Sequence, residues 1–333
     1  MPVSFHIFIL VSGYLSDILV KRRVGENMTE TGDFTYEQIY YTLWETAQRY
    51  HPITQFRVIG NSHDERMIPM LEMGEGTETI FCVSGINGTD RFMPSCLLLM
   101  VQEYCRAWEC GWKLNDIYDV RELLSHWRLC FIPILNPDGY EIYEKDYFVI
   151  RNPIYRQMLR MQETPCKEYF CNARGMNIQK NFPTSYYRRY RIAHEPASEN
   201  ETKALIRILQ EYQGRGFLSF CQAGKRILYY RQPQSFTANQ KSTRFARHYQ
   251  KESGFRTERF TLNKQPGRNE GAGEGSPERF FAEVIKQPSF RIELPFLSED
   301  RELDKTKLSN GFKKAYFQIH TVPLEYIFSM EEG

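Results

Sequence analysis

From residue 34 onward the apolar and polar positions fall into two rhythms, one of period near 3.6 and one of short continuous runs. Tyr36 to Tyr50 carries the first rhythm and reads as an amphipathic helix closed by His51-Pro52. Gln55 to Ile59 and Met67 to Glu72 read as strands around the turn Gly60-Asn61-Ser62. Thr79 to Ser84 is a buried strand, followed by the loop Gly85 to Arg91. Pro94 opens a helix through Cys110, with Leu97, Leu98, Met100, Val101 and Tyr104 as its apolar positions. Val120 to Leu124 is a short helical piece. Trp127 to Leu135 is a second buried strand, ending in the turn-like Asn136-Pro137-Asp138-Gly139. Glu199 to Tyr212 is a helix, Gly216 to Phe220 and Arg226 to Tyr230 are strands, and Thr237 to Glu252 and Pro277 to Ile285 are helical. Ser289 to Leu294 is a strand, and Lys305 to Ile319 is the last helix.

Strands alternating with helices predict an α/β fold, a single domain with a mixed twisted β-sheet and helices on both faces. No repeat or long linker interrupts it. We place an N-terminal extension at 1–33, one domain at 34–325 and a C-terminal tail at 326–333. Folds of this class carry their chemistry in loops at strand ends. Four such loops stand out: Gly85 to Arg91, Asn136 to Tyr140, Asn172 to Pro183 and Cys221 to Gly224. Glu293, an acid inside an apolar strand, is a fifth candidate position.

Composition narrows the class. Apolar residues make up 41% and charged residues 25% of 333, which excludes a disordered tail, a fibre and a polytopic membrane protein. The net charge of +2 offers no general steering toward nucleic acid, so no nucleic-acid partner is expected. Phe5 to Leu15 is a short apolar run with Lys21-Arg22-Arg23 after it and no basic residue before it. A secretory signal has the opposite charge order, and the run is too short for a membrane span. A cleaved signal and a signal anchor remain the alternatives to an extension. The eight Cys, from Cys82 to Cys221, sit mostly in apolar runs without a Cys-x-x-Cys, as buried thiols do. Only Cys166 and Cys171 are spaced for a local bridge. Buried thiols lean toward a cytoplasmic protein over an exported one. Gly267 to Gly275 lacks the Lys-Ser/Thr of a phosphate loop and reads as a loop beside a cleft. Tyr186 to Arg191 mixes basic and aromatic residues and reads as a solvated loop.

Several phrases, taken in order over about residues 34 to 325, carry a family resemblance. They are Val58-Ile59-Gly60-Asn61-Ser62, Tyr118 to Leu124, Phe131-Ile132-Pro133-Ile134-Leu135-Asn136-Pro137-Asp138-Gly139, Asn172-Ala173-Arg174-Gly175-Met176-Asn177-Ile178-Gln179-Lys180-Asn181-Phe182-Pro183, and Lys286 to Glu293. Together they resemble the zinc carboxypeptidase family, and most closely its bacterial gamma-D-glutamyl-diaminopimelate peptidases, which trim cell-wall peptides. The resemblance implies a zinc held by a His-x-x-Glu pair and a distant His. It also implies a general-base Glu for the metal-bound water and an Arg for the oxyanion.

Mapped onto this chain, the three ligand positions are Asn87, Asp90 and Cys221, so all three are substituted. An Asn/Asp/Cys set lies outside the usual zinc donors, and metal bonds tolerate only about ±0.2 Å of misplacement. His63, His126 and His194 lie elsewhere in the pattern. The family's carboxylate-gripping Asn-Arg pair becomes Gln179-Lys180, which keeps a charge and loses the guanidinium fork. The oxyanion helper falls on Phe170, with Arg156 as a possible substitute. Glu293, the general-base position, is kept.

Each residue also has a plainer role. Asn87 and Asp90 are good caps for the helix that follows. Cys221 fits a buried thiol, and Lys180 a solvated side chain. Glu293 could be an idle inherited base or the partner of a buried Lys or Arg. The preferred expectation is a catalytically degenerate member without cofactor, binding a peptide or muropeptide in a retained cleft. One alternative is an active hydrolase with zinc on atypical ligands and Glu293 as base. Another is a scaffolding protein.

Overall fold

The computed structural model describes residues 34–185, 187, 195–231, 235–261, 275–295 and 305–331. The extension 1–33 lies outside these residues, as do most of the two loops read at Tyr186 to Arg191 and Gly267 to Gly275.

Thr35 starts the first helix, α1 (Tyr36–Arg49), through a capping box. Its hydroxyl accepts from Gln38 N–H while the Gln38 side chain accepts from Thr35 N–H. The chain then runs through β1 (Thr54–Asn61), β2 (Met67–Met73), β3 (Glu78–Val83), α2 (Phe92–Cys110), β4 (Lys113–Leu114), β5 (Tyr118–Asp119), α3 (Val120–His126) and β6 (Trp127–Ile132). It continues through α4 (Pro137–Lys145), α5 (Pro153–Arg160), α6 (Asn200–Glu211), β7 (Gln213–Gln222), β8 (Arg226–Arg231), α7 (Phe236–Ser253) and β9 (Arg256–Thr261). The last elements are α8 (Pro277–Phe280), β10 (Ser289–Leu294), α9 (Lys305–Ile319) and α10 (Val322–Glu331).

Eight strands form one mixed sheet in the order β1-β2-β6-β3-β7-β10-β8-β9. The four central strands, β6, β3, β7 and β10, run parallel, and the antiparallel pairs lie outside them. Side chains of a strand alternate between faces, and the core divides accordingly. Ile80, Cys82, Leu218, Phe220, Phe290 and Ile292 pack with α1, α2, α7 and α10 on one face. Phe81, Val83, Phe217 and Ile132 pack with α6 and Phe280–Phe281 on the other. Gly60 shows how close α6 lies to β1, since a Cβ there would stand 2.8 Å from the Ala204 Cβ.

Two expected elements take another form. Asn136 to Gly139 is the start of α4, not a free turn: Asn136 caps it by accepting from Gly139 N–H at 3.0 Å, and Pro137 takes the first turn. The expected helix at Pro277 to Ile285 is a single α turn followed by a π turn, Phe281–Ile285. The boundary expected at residue 325 falls inside α10, where Tyr326 and Ile327 are buried. Cys166 and Cys171, the one pair spaced for a local bridge, are both thiols, with no disulfide between them. The expected elements do not include β4, β5, α5, β9 or α10.

Candidate functional site

The parallel strands deliver the candidate residues to one side of the sheet. Asn87 and Asp90 lie in the loop after β3, Cys221 near the end of β7 and Glu293 near the end of β10. In the parallel β7–β10 pair, Glu293 lies opposite Cys221 and Arg291 opposite Ser219. Arg291 and Glu293 are two residues apart, so they share a face, the one Phe217 lines rather than the one Phe290 and Ile292 line.

A guanidinium stands at the centre of this group. Arg291 Nε donates to Cys221 Sγ at 3.2 Å and lies 3.0 Å from Glu293 Oε1. The other Glu293 oxygen accepts from Arg226 Nε at 2.5 Å, and Arg226 Nη1 reaches Glu258 at 2.9 Å. Glu293 is 1% exposed, Cys221 5% and Arg291 8%. Burial works against the charge on Arg291, but Cys221, Glu278 and Glu293 outweigh it and hold the guanidinium above its ordinary range. Burial also pushes the Cys221 thiol well up, so it is neutral at pH 7. The carboxylates are therefore the charge partners that matter.

Asp90 does not cap α2. One oxygen accepts from Gln222 N–H at 3.1 Å, the other from Asn87 N–H at 3.4 Å. The helix start is met instead by Gln222, whose side-chain oxygen accepts from Phe92 N–H at 3.3 Å. Asp90 thus ties the β3 loop to the end of β7. Burial pushes its carboxyl up to about 7, with the backbone donors and Arg291 pulling the other way.

Gln179 and Lys180 lie on a 3-10 turn, Ile178–Lys180. Gln179 is buried and donates to Glu278 at 2.9 Å, and Ser219 Oγ donates to the other Glu278 oxygen. The Lys180 side chain is partly exposed. Its carbonyl packs against Gly275, where a Cβ would come within 2.5 Å of it and φ is +66°. Phe170 meets the β3 loop through its backbone, accepting from Gly88 N–H at 3.2 Å, and its ring is 46% exposed. Arg156 lies on α5.

A second polar group gathers His63, Glu199 and Glu201, whose donor atoms lie within 4.8 Å of one another. His63 Nε2 is 3.1 Å from Glu199 Oε2. The Asn172 amide bonds Glu199 at 2.8 Å and both Glu201 oxygens at 3.3 Å. Arg174 lies 3.4 Å from Glu199. The two carboxyls are driven apart. Burial opposes ionisation of Glu199, but bonds from His63, Asn172 and Ser198 bring it down to about 2. Glu201, more deeply buried and near Asp138, is pushed up to about 8.

The sequence reading gave Arg291, Arg226 and Glu278 no role and set His63 aside. Arg291 had a legible signal, being a cation inside an apolar strand two positions from Glu293. Arg226, Glu278 and His63 had none, because only the fold brings them to their partners.

The known proteins that this chain resembles point one way. A family model described as zinc carboxypeptidase matches residues 39–308. Carboxypeptidase D of Rattus norvegicus is 27% identical over 188 residues, covering 54% of this chain and 11% of that protein. The chain thus spans about a tenth of the length of this curated relative. Among solved structures, bovine thrombin-activatable fibrinolysis inhibitor in complex with tick carboxypeptidase inhibitor superposes with a TM-score of 0.66 at 15% identity, covering 91% of this chain and 99% of that one. Carboxypeptidase A of Helicoverpa armigera gives 0.65 at 14% identity, covering 96% and 82%. Identities this low speak for a shared fold, and the match of the family model over most of the chain goes further: the chain belongs to the zinc carboxypeptidase family.

Proposed function

We propose that this chain is a catalytically degenerate zinc carboxypeptidase, one that binds a peptide without hydrolysing it. The observation that carries the reading is the Arg291 guanidinium, held at 3.2 Å from Cys221 Sγ and 3.0 Å from Glu293. It supports the reading because a fixed cation of the chain then stands beside Cys221 and Glu293, the residues that the family resemblance assigns to a metal ligand and the base.

The donor set does not suit zinc. The sulfur of Cys221 already accepts from the Arg291 guanidinium at 3.2 Å. Both Asp90 oxygens accept backbone N–H groups. Asn87 offers only a neutral amide. A divalent ion here would also sit beside a guanidinium, a repulsion that a low-dielectric interior magnifies. Glu293 bridges two arginines, so both of its carboxylate oxygens are engaged by cations of the chain.

The ligand assigned is a peptide, and a cell-wall peptide is one specific form of it. Titration of the full chain with tripeptides and muropeptides, followed by thermal shift and by product analysis, tests the reading. Saturable stabilisation without product is expected. Product release that disappears in Glu293→Gln would return the chain to the active hydrolases.

A further inference from the structure

The near-zero net charge conceals an asymmetry. Residues 225–261 hold nine Lys and Arg against two Asp and Glu, while the rest of the chain holds 34 against 39. One segment of 37 residues is thus strongly basic on an otherwise mildly acidic protein. Charge segregated in this way creates a local field that the whole-chain sum hides.

The fold collects much of this charge on one side. On α7, Arg244, Arg247, His248 and Lys251 are all exposed, and Lys241 is partly so. At 100° per residue, positions 244, 247, 248 and 251 share one face of the helix, with Lys241 at its margin. The buried positions Phe245, Ala246 and Tyr249 hold the opposite face to the sheet. Lys241 and Lys251 are ten residues apart, so the row is about 15 Å long. The edge strand β9 adds to it. Thr257 Oγ1 donates to Gln250 of α7 at 3.2 Å, so its face of β9 looks toward the helix, and the exposed Arg259 is two residues further on the same face. Of the two acids in the segment, Glu258 is held by Arg226 at 2.9 Å, which leaves Glu252 as the acid exposed on the helix.

We propose that α7 and β9 form a binding surface for the sugar–phosphate backbone of a nucleic acid, read without sequence preference. Three features favour this partner over a lipid surface. The cations form a row rather than a ring, and about 15 Å covers the phosphates of roughly four nucleotides at 3.4 Å per strand. Three of the five Lys and Arg on this surface, Arg244, Arg247 and Arg259, are arginines, whose forked donors match phosphate oxygens. Phe236, 77% exposed at the start of α7, is the large apolar side chain that protrudes here, enough to stack on one base. A helix that lies on a bilayer instead buries a whole apolar face in it, and the buried face of α7 is spent on the sheet.

The test is fluorescence anisotropy of the full chain with a labelled 20-nucleotide oligo-dT, run from 50 to 200 mM KCl. With four phosphates neutralised, the log–log salt slope should be about −3, so affinity falls about 50-fold over that range. Arg244→Gln/Arg247→Gln/Lys251→Gln should lose about two units of that slope. The charge-matched control Arg151→Gln/Arg160→Gln/Lys203→Gln should keep it. Should the triple variant melt early, Arg247→Gln and Lys251→Gln taken singly should each lose about 0.7 of the slope. The proposal is overturned by no binding at 50 mM KCl, by equal loss in the control, or by vesicles of phosphatidylserine and phosphatidylcholine binding through these residues while the oligonucleotide does not.

Discussion

Arg291 Nε lies 3.2 Å from Cys221 Sγ, a guanidinium set against a buried thiol near the end of β7. The pair is buried, and Glu293 completes it from the same strand at 3.0 Å. A buried charge that loses its partner is costly, about 3–5 kcal/mol. Arg291→Met should therefore destabilise the protein by that order in urea unfolding. Arg291→Met combined with Glu293→Gln should cost less than the two single losses together, because neither charge is then stranded. Additive losses would mean that the two side chains are energetically independent.

Thiol reactivity separates Cys221 from Cys110. Cys221 is buried with its thiol pushed up, and Cys110 is exposed at the end of α2. Iodoacetamide at pH 8, followed by peptide mass spectrometry, should label Cys110 within minutes and Cys221 only after denaturation. Fast labelling of Cys221 in the folded protein would reveal an activated thiolate, contrary to the geometry.

Glu199 and Glu201 should give opposite pH signatures. Glu199 is depressed to about 2, so its contribution is complete above the unfolded value near 4.5 and is lost as pH falls toward 2. Glu199→Gln should cost about 1.5–3 kcal/mol at pH 7, the scale of hydrogen bonds to a charged group, and progressively less below pH 4. A cost that stays constant down to pH 2.5 would show that the charge of Glu199 is not what its partners stabilise.

Glu201 is raised to about 8, so between about 4.5 and 8 the folded state keeps a proton that the unfolded state has released. Stability from this group falls as pH rises through that window. Glu201→Gln mimics the protonated acid, and its melting temperature relative to the parent should improve from pH 5 to pH 8. A difference that does not change with pH would place an ionised Glu201 in the native state.

Much of this architecture was readable along the chain. The 3.6 rhythm of α1 and the apolar runs of β3 and β6 located the layers, since burial on a regular element repeats at fixed spacing. The loop after β3 that holds Asn87 and Asp90 was readable, whereas Cys221, read at the head of a loop, lies within β7. The roles of these residues were harder to read. Asp90 looked like a helix cap because local capping is what an Asp before a helix usually does, and only the β3–β7 pairing brings Gln222 to it. Arg291 could be placed on the face of Glu293 by alternation, but its bond to Cys221 depends on the parallel register of β7 and β10. The +2 net charge hid α7's basic face because summation discards position.

The central claim is that Arg291 holds the place a metal would need, and metal content tests it most directly. The full chain is purified without chelator from zinc-supplemented medium and measured by inductively coupled plasma mass spectrometry, beside Cys221→Ala and His63→Ala. The expected result is zinc far below one per chain, unchanged in Cys221→Ala. One zinc per chain that is lost in Cys221→Ala and kept in His63→Ala would contradict it.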